Sequence, residues 1–246
     1  MAEVRVSPLV MIKLPAKIRF EQAVYGSFPF WNRGYSLLCR SQGCRPEWLG
    51  EMPAVCQRYG EPPTGVTEAD SVFALQLKSG PWMIVGVHPQ GLDDHDRPGA
   101  TAFHALFVGS WAYRWAGADP FVFTGAMRRE WSQADQDRRM PTGVCTLGAM
   151  TRIASSNPAT DIDPRVPLIV SALTEGRRVV VQSLEPIDGL AQSVWTRLSH
   201  RVRNSTSVAT WAFDNANNFD FVALPKLAGV ALNPRDLVIA VEHAGR

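Results

Sequence analysis

The eight residues Thr101–Val108 put Thr101, Phe103, Ala105 and Phe107 on one face of an extended chain and Ala102, His104, Leu106 and Val108 on the other. A strand that is apolar on both faces is covered on both faces. The chain must therefore fold around a central strand with structure packed on each side. His104 then lies inside, where its ring needs a hydrogen-bond partner. A structural bond is the simpler expectation, because no partner for a general base stands out in the flanking sequence.

Other segments supply neighbours for that strand. Ile18–Tyr25 alternates like a strand, a turn-rich stretch follows through Gly34, and Tyr35–Ser41 resumes in extended form. Ser71–Lys78 and Pro81–His88 flank Ser79-Gly80 as a hairpin, and Phe121–Phe123 reads as one more short strand. Pro46 opens a helical spacing that runs through Trp48, Leu49, Met52, Val55 and Cys56, and Ser110–Gly117 reads as a short helix. Residues 126–164 differ in character: Met127–Arg139 is highly charged, and Pro, Gly, Ser and Thr dominate the remainder. Beyond them the pattern predicts a helix at Arg165–Glu175 ended by Gly176 and a strand at Arg178–Leu184. A helix is predicted at Asp188–Arg203 with Asp188 as its cap, followed by strands at Ser205–Phe213, Phe219–Leu224 and Leu237–Val241.

Hairpins outnumber strand–helix–strand units, so the expected class is α+β: largely antiparallel sheet with a few packed helices, in two lobes. The boundaries expected are a β-rich lobe over 1–125, an inserted connection over 126–164, and a second α+β lobe over 165–246.

Charge and motifs exclude several functions. Twenty-five basic against 23 acidic residues give a net charge of +2, too little to bind nucleic acid by bulk electrostatics. No phosphate-binding loop, dinucleotide fingerprint, zincin helix, nucleophile elbow or C-x-x-C pair is present. The early apolar run Leu9–Ile12 stops at Lys13 and Pro15, too short for a signal sequence, and no run is long enough to span a bilayer. The expectation is a cytoplasmic protein whose four cysteines are reduced. Eight tryptophans suit a large core or a protein interface.

Three groups of residues could carry chemistry. His88, His95 and His104 lie close in sequence with Asp93, Asp94 and Asp96 between them, but the spacing fits no ligand pattern, so neither metal nor cofactor is expected. Cys39, Cys56 and Cys145 could serve as nucleophiles only beside an activating base. The helix over Asp188–Arg203 carries Arg197, His200, Arg201 and Arg203 away from its apolar side, a face suited to phosphate or an acidic partner.

Three stretches together resemble a known family. Phe20-Glu-Gln-Ala-Val-Tyr-Gly26, Arg33-Gly-Tyr-Ser-Leu-Leu-Cys-Arg-Ser41 and Arg97-Pro-Gly-Ala-Thr-Ala-Phe-His-Ala-Leu-Phe107 are similar to the amino-terminal domain of GTPase-associated protein 1, from bacterial NTP-dependent conflict systems. The resemblance is carried by Gln22, Tyr25, Gly34, Ser41, Gly99, Phe103 and His104, covers roughly residues 18–125, and weakens over Trp195–Phe213. It implies a scaffold or regulator beside a GTPase or other NTPase. The chain is shorter than the longer family members, which implies loss of their middle and carboxy-terminal regions.

The function expected is thus a non-catalytic adaptor acting through protein–protein contacts, with Gln22, Tyr25, Arg97, His104, Arg197 and Arg201 as the binding residues. One alternative is a hydrolase or nucleotide-modifying enzyme using His104 with a nearby carboxylate or thiol. Another is nucleic-acid binding through the basic helix.

Overall fold

The structure is a computed structural model that describes residues 17–30, 33–93, 95–147 and 163–240. Expectations for the amino-terminal segment, Asp94, most of the tail of the 126–164 connection and the end of the last strand lie outside the described residues.

Among the described residues, eleven strands form one sheet. The first five are β1 (Lys17–Gly26), β2 (Ser36–Ser41), β3 (Ser71–Gln76), β4 (Trp82–Leu92) and β5 (Pro98–Val108). Two short strands follow, β6 (Arg139–Met140) and β7 (Gly143–Thr146). The last four are β8 (Val179–Gln182), β9 (Val208–Ala209), β10 (Phe221–Leu224) and β11 (Leu237–Ile239). Their order is β11-β8-β10-β9-β3-β4-β5-β1-β2-β6, with β7 added beside β1. The helices are α1 (Pro46–Gln57), α2 (Ser110–Trp115), α3 (Arg165–Thr174), α4 (Asp188–Trp195) and α5 (His200–Arg203).

The α+β class holds, but the sheet is mixed rather than largely antiparallel. β1 to β5 pair antiparallel, whereas β8, β9, β10 and β11 pair parallel with one another, and β2 pairs parallel with β6. The cause lies in the second half, where each short strand is separated from the next by a helix or a long loop. Such connections return the chain in the same direction. The antiparallel pairing of β3 with β9 joins the two halves into one surface.

β5 is the doubly covered strand its sequence demands, with residues 102–108 all buried. Its Leu106 and Val108 face a core completed by Tyr113 of α2, Ile169 of α3 and Val194 and Trp195 of α4. Its Phe103, Ala105 and Phe107 face a second core completed by Met52, Val55 and Cys56 of α1. Both ends of the sheet are very short strands, β6 and β11, which leaves little open backbone for unwanted pairing.

Three local expectations need correction. Phe121–Phe123 is not a strand but part of a 3-10 turn, Pro120–Ala126, because Asp119 Oδ1 accepts the Phe121 N–H and starts the turn. The helix expected over Asp188–Arg203 is two helices. The Ser199 hydroxyl accepts from the Val202 N–H and begins α5 afresh, and Ile187 rather than Asp188 caps α4. The strand expected over Ser205–Phe213 is reduced to Val208–Ala209, since Thr210 Oγ1 and Trp211 Nε1 turn to bond Val72 N and Ser183 O.

At the end of β1 the backbone of β5 approaches closely. A Cβ on Gly26 would collide with the Thr101 carbonyl oxygen and lie 3.0 Å from Ala102 Cα. Gly26→Ala should therefore cost about 1–3 kcal/mol by overpacking. Chemical denaturation measures this; a midpoint equal to the parent's would mean that β1 and β5 are not this close.

Candidate functional site

Three of the residues that carry the resemblance, Gln22, Ser41 and His104, come together around β1 and β5. His104 sits opposite Val24 of β1 and Gly86 of β4 and is 1% exposed. Its Nδ1 accepts the Arg128 backbone N–H at 2.9 Å. An amide N–H can only donate, so the ring proton is on Nε2, which donates to Gln22 Oε1 at 2.9 Å. Gln22 passes the connection on: its Nε2 donates to Pro141 O at 2.8 Å, and its backbone N–H to Ser41 Oγ at 2.9 Å. Ser41, fully buried, donates in turn to Glu21 Oε2 at 2.5 Å.

This network fastens the charged connection to the sheet. Trp131 meets the His104 ring edge-on with centroids 5.2 Å apart, and the Arg128 guanidinium lies 4.4 Å over Trp131. Arg128 also holds Asp135 with two bonds, Nη1 to Oδ1 at 2.8 Å and Nη2 to Oδ2 at 2.7 Å. That pairing keeps the Asp135 carboxyl below its ordinary range.

His104 has neither the carboxylate nor the thiol partner that the enzymatic alternative calls for. Both ring nitrogens are engaged by an amide oxygen and a backbone N–H, not by a carboxylate or thiol. Burial, reinforced by the nearby Arg128 guanidinium, lowers its pKa to about 3. A histidine that is inaccessible and neutral across the physiological range is a structural bridge rather than a general base. The cysteines are equally subdued. Burial raises Cys39 to about 12 and moves Cys44, Cys56 and Cys145 upward as well, so thiolate is scarce.

Tyr25 and Arg97 lie elsewhere, at a cleft of about 540 Å³ between α1, the loop after it and the base of the β4–β5 arm. Tyr25 packs against Tyr35 and Phe103, with centroids 6.1 and 6.4 Å away, and Tyr35 and Phe103 line the cleft. Arg97 stands at its rim, where its Nε donates to Asp93 Oδ2 at 2.8 Å and holds that carboxyl down to about 2. Asp93 also accepts the His95 N–H, so this acidic stretch is a self-bonded loop tip. Among the described residues no three His, Cys, Asp or Glu side chains come together to hold a metal ion.

Arg197 and Arg201 are exposed where α4 gives way to α5, remote from His104 in the chain and on a different part of the surface. Sequence reading missed two features. His88, buried, bonds Asp70 Oδ1 through Nδ1 at 2.9 Å, and Arg129 reaches the other Asp70 oxygen at 3.1 Å. Trp111, exposed, packs on the half-buried Trp115 of α2. Only the four-residue spacing of the two tryptophans was visible beforehand. Compared with known proteins, the chain matches no family model, no curated protein and no solved structure.

Proposed function

We propose that this protein is a non-catalytic adaptor or regulator that works through protein–protein contacts in a bacterial conflict, defence or other GTPase-linked system. The observation that carries this reading is the His104 network. Gln22, Ser41 and His104, three of the residues behind the resemblance, are spent on fixing β1, β2, β5 and the 126–147 segment to one another. They build a rigid platform, and their reactive atoms are already bonded. The free, buried state of all four cysteines supports a reducing, cytoplasmic setting. Among the described residues no helix is long and apolar enough to cross a membrane.

Co-expression with the products of neighbouring genes, followed by purification on a tag carried by this chain, tests the proposal. An NTPase should co-elute with it in a fixed ratio. Recovery of this chain alone, or measurable substrate turnover by the isolated protein, overturns the reading.

A further inference from the structure

The tryptophan pair of α2, exposed at Trp111 and half-buried at Trp115, adjoins the basic helix α5, far from it in sequence. Trp111 is 66% exposed, more than any other large apolar side chain among the described residues. It packs on Trp115 with centroids 5.0 Å apart and ring planes at 49°. Between them in sequence, Arg114 ties α2 to α5 at two points. Its Nε donates to Asn204 Oδ1 at 3.1 Å, and its carbonyl oxygen accepts from His200 Nε2 at 3.0 Å.

The charges on this surface have one sign. Residues 109–118 and 193–207 contain Arg114, Arg197, His200, Arg201 and Arg203 and no aspartate or glutamate. Asp119, the nearest acid in sequence, is partly buried and bonded to Phe121 N, and burial raises its pKa. Arg114, Arg197 and Arg201 form no ion pair among the described residues. An exposed tryptophan on a helix tied to a second helix that carries arginines and no acid calls for a partner that is acidic and carries an apolar anchor.

We infer that the α2–α5 surface docks an acidic peptide segment of a partner protein, with an apolar side chain of that segment set against Trp111 and Trp115. This deepens the adaptor reading, on which it rests, by naming the partner's chemistry. Tryptophan and arginine are the residue types that dominate binding energy at protein interfaces. A single nucleic-acid strand fits less well. The two indoles cover each other and present a merged face rather than separate platforms for bases, and the cations cluster on two short helices instead of tracking a backbone.

Fluorescence anisotropy tests the inference with three labelled probes: a peptide of repeated Glu-Asp-Phe-Glu, the same peptide with Lys for every acid, and oligouridylate. The acidic peptide should bind, more weakly as salt rises, and Trp111→Ala and Arg201→Glu should each weaken it about tenfold. Both side chains are exposed, so thermal unfolding of the variants should match the parent. Equal binding by the variants, or equal binding of the lysine peptide, overturns the inference. Tighter binding of oligouridylate with the same losses overturns it in favour of a nucleic-acid surface. Co-purification separates this from the adaptor reading. If the Trp111→Ala/Arg201→Glu protein still recovers an NTPase at parental yield, the docking surface falls and the adaptor stands. If no NTPase is recovered while the acidic peptide binds as described, the adaptor reading falls alone.

Discussion

Acidification from pH 6.5 to pH 4.5 should lower the unfolding free energy by about 2 kcal/mol, through His104. Its pKa is about 3 in the folded protein against an ordinary 6.5. Between those values the unfolded chain binds a proton that the folded protein refuses, so stability rises with pH and falls with acid. The contribution is complete above pH 6.5, declines below it, and levels off near pH 3. Asp135, Asp163 and Asp236, each bonded to an arginine, are held below 3.8 and act with the same sign, but only in more acid solution. Burial raises the Glu68, Asp119 and Asp188 carboxyls, which act with the opposite sign, so the difference between the parent and His104→Gln profiles is what isolates the histidine. His104→Gln keeps an uncharged donor and acceptor at the site and should flatten the profile there. Urea unfolding across that range measures both proteins; parallel profiles would mean that His104 is not held neutral.

Trp195→Ala should cost about 3–5 kcal/mol, the upper range for emptying a large aromatic site. Trp195 has no exposed surface, and its Nε1 donates to Ala118 O at 2.9 Å. Its ring meets Phe121 edge-on at 5.8 Å. The residue belongs to α4, whereas Ala118 and Phe121 belong to the turn after α2, so the side chain joins the second half of the chain to the first. Trp195→Phe retains most of the apolar volume but strands the Ala118 carbonyl, and a loss of about 1–3 kcal/mol is expected. Denaturant midpoints give both values. Alanine costing no more than phenylalanine would show that α4 does not depend on this anchor.

Much of the framework was readable in the sequence because it rests on local patterns. The two apolar faces of Thr101–Val108, the Ser79-Gly80 hairpin and Pro46 at the start of α1 all declare themselves within a few residues. The parallel pairing of β8 with β10 and β11 did not, since strand direction is set by where a chain returns after long connections. The break between α4 and α5 was hidden because Leu190, Val194, Leu198 and Val202 keep helical spacing across it, and a serine cap outweighs that spacing. The burial of His104 could be deduced from its strand. Its partners could not, because Gln22 lies 82 positions away and Arg128 bonds through its backbone, which leaves no mark on side-chain identity. Arg97, Arg197 and Arg201 were visible as cations, but only the fold shows Arg97 occupied by Asp93 and the helix of Arg201 tied to α2 through Arg114.

The layout of β1 has a consequence for how the protein is made. Its first half pairs with β7 and its second with β5, and Gln22 reaches a carbonyl 119 positions further on. During synthesis β2 follows β1 closely, but β5 and β7 emerge much later, and β3 likewise waits for Thr210, 138 positions beyond Val72. Contacts so distant delay folding and prolong the time an apolar strand stands uncovered. The β3–β9 pairing that joins the two halves of the sheet can form only once residues 208 and 209 have been made.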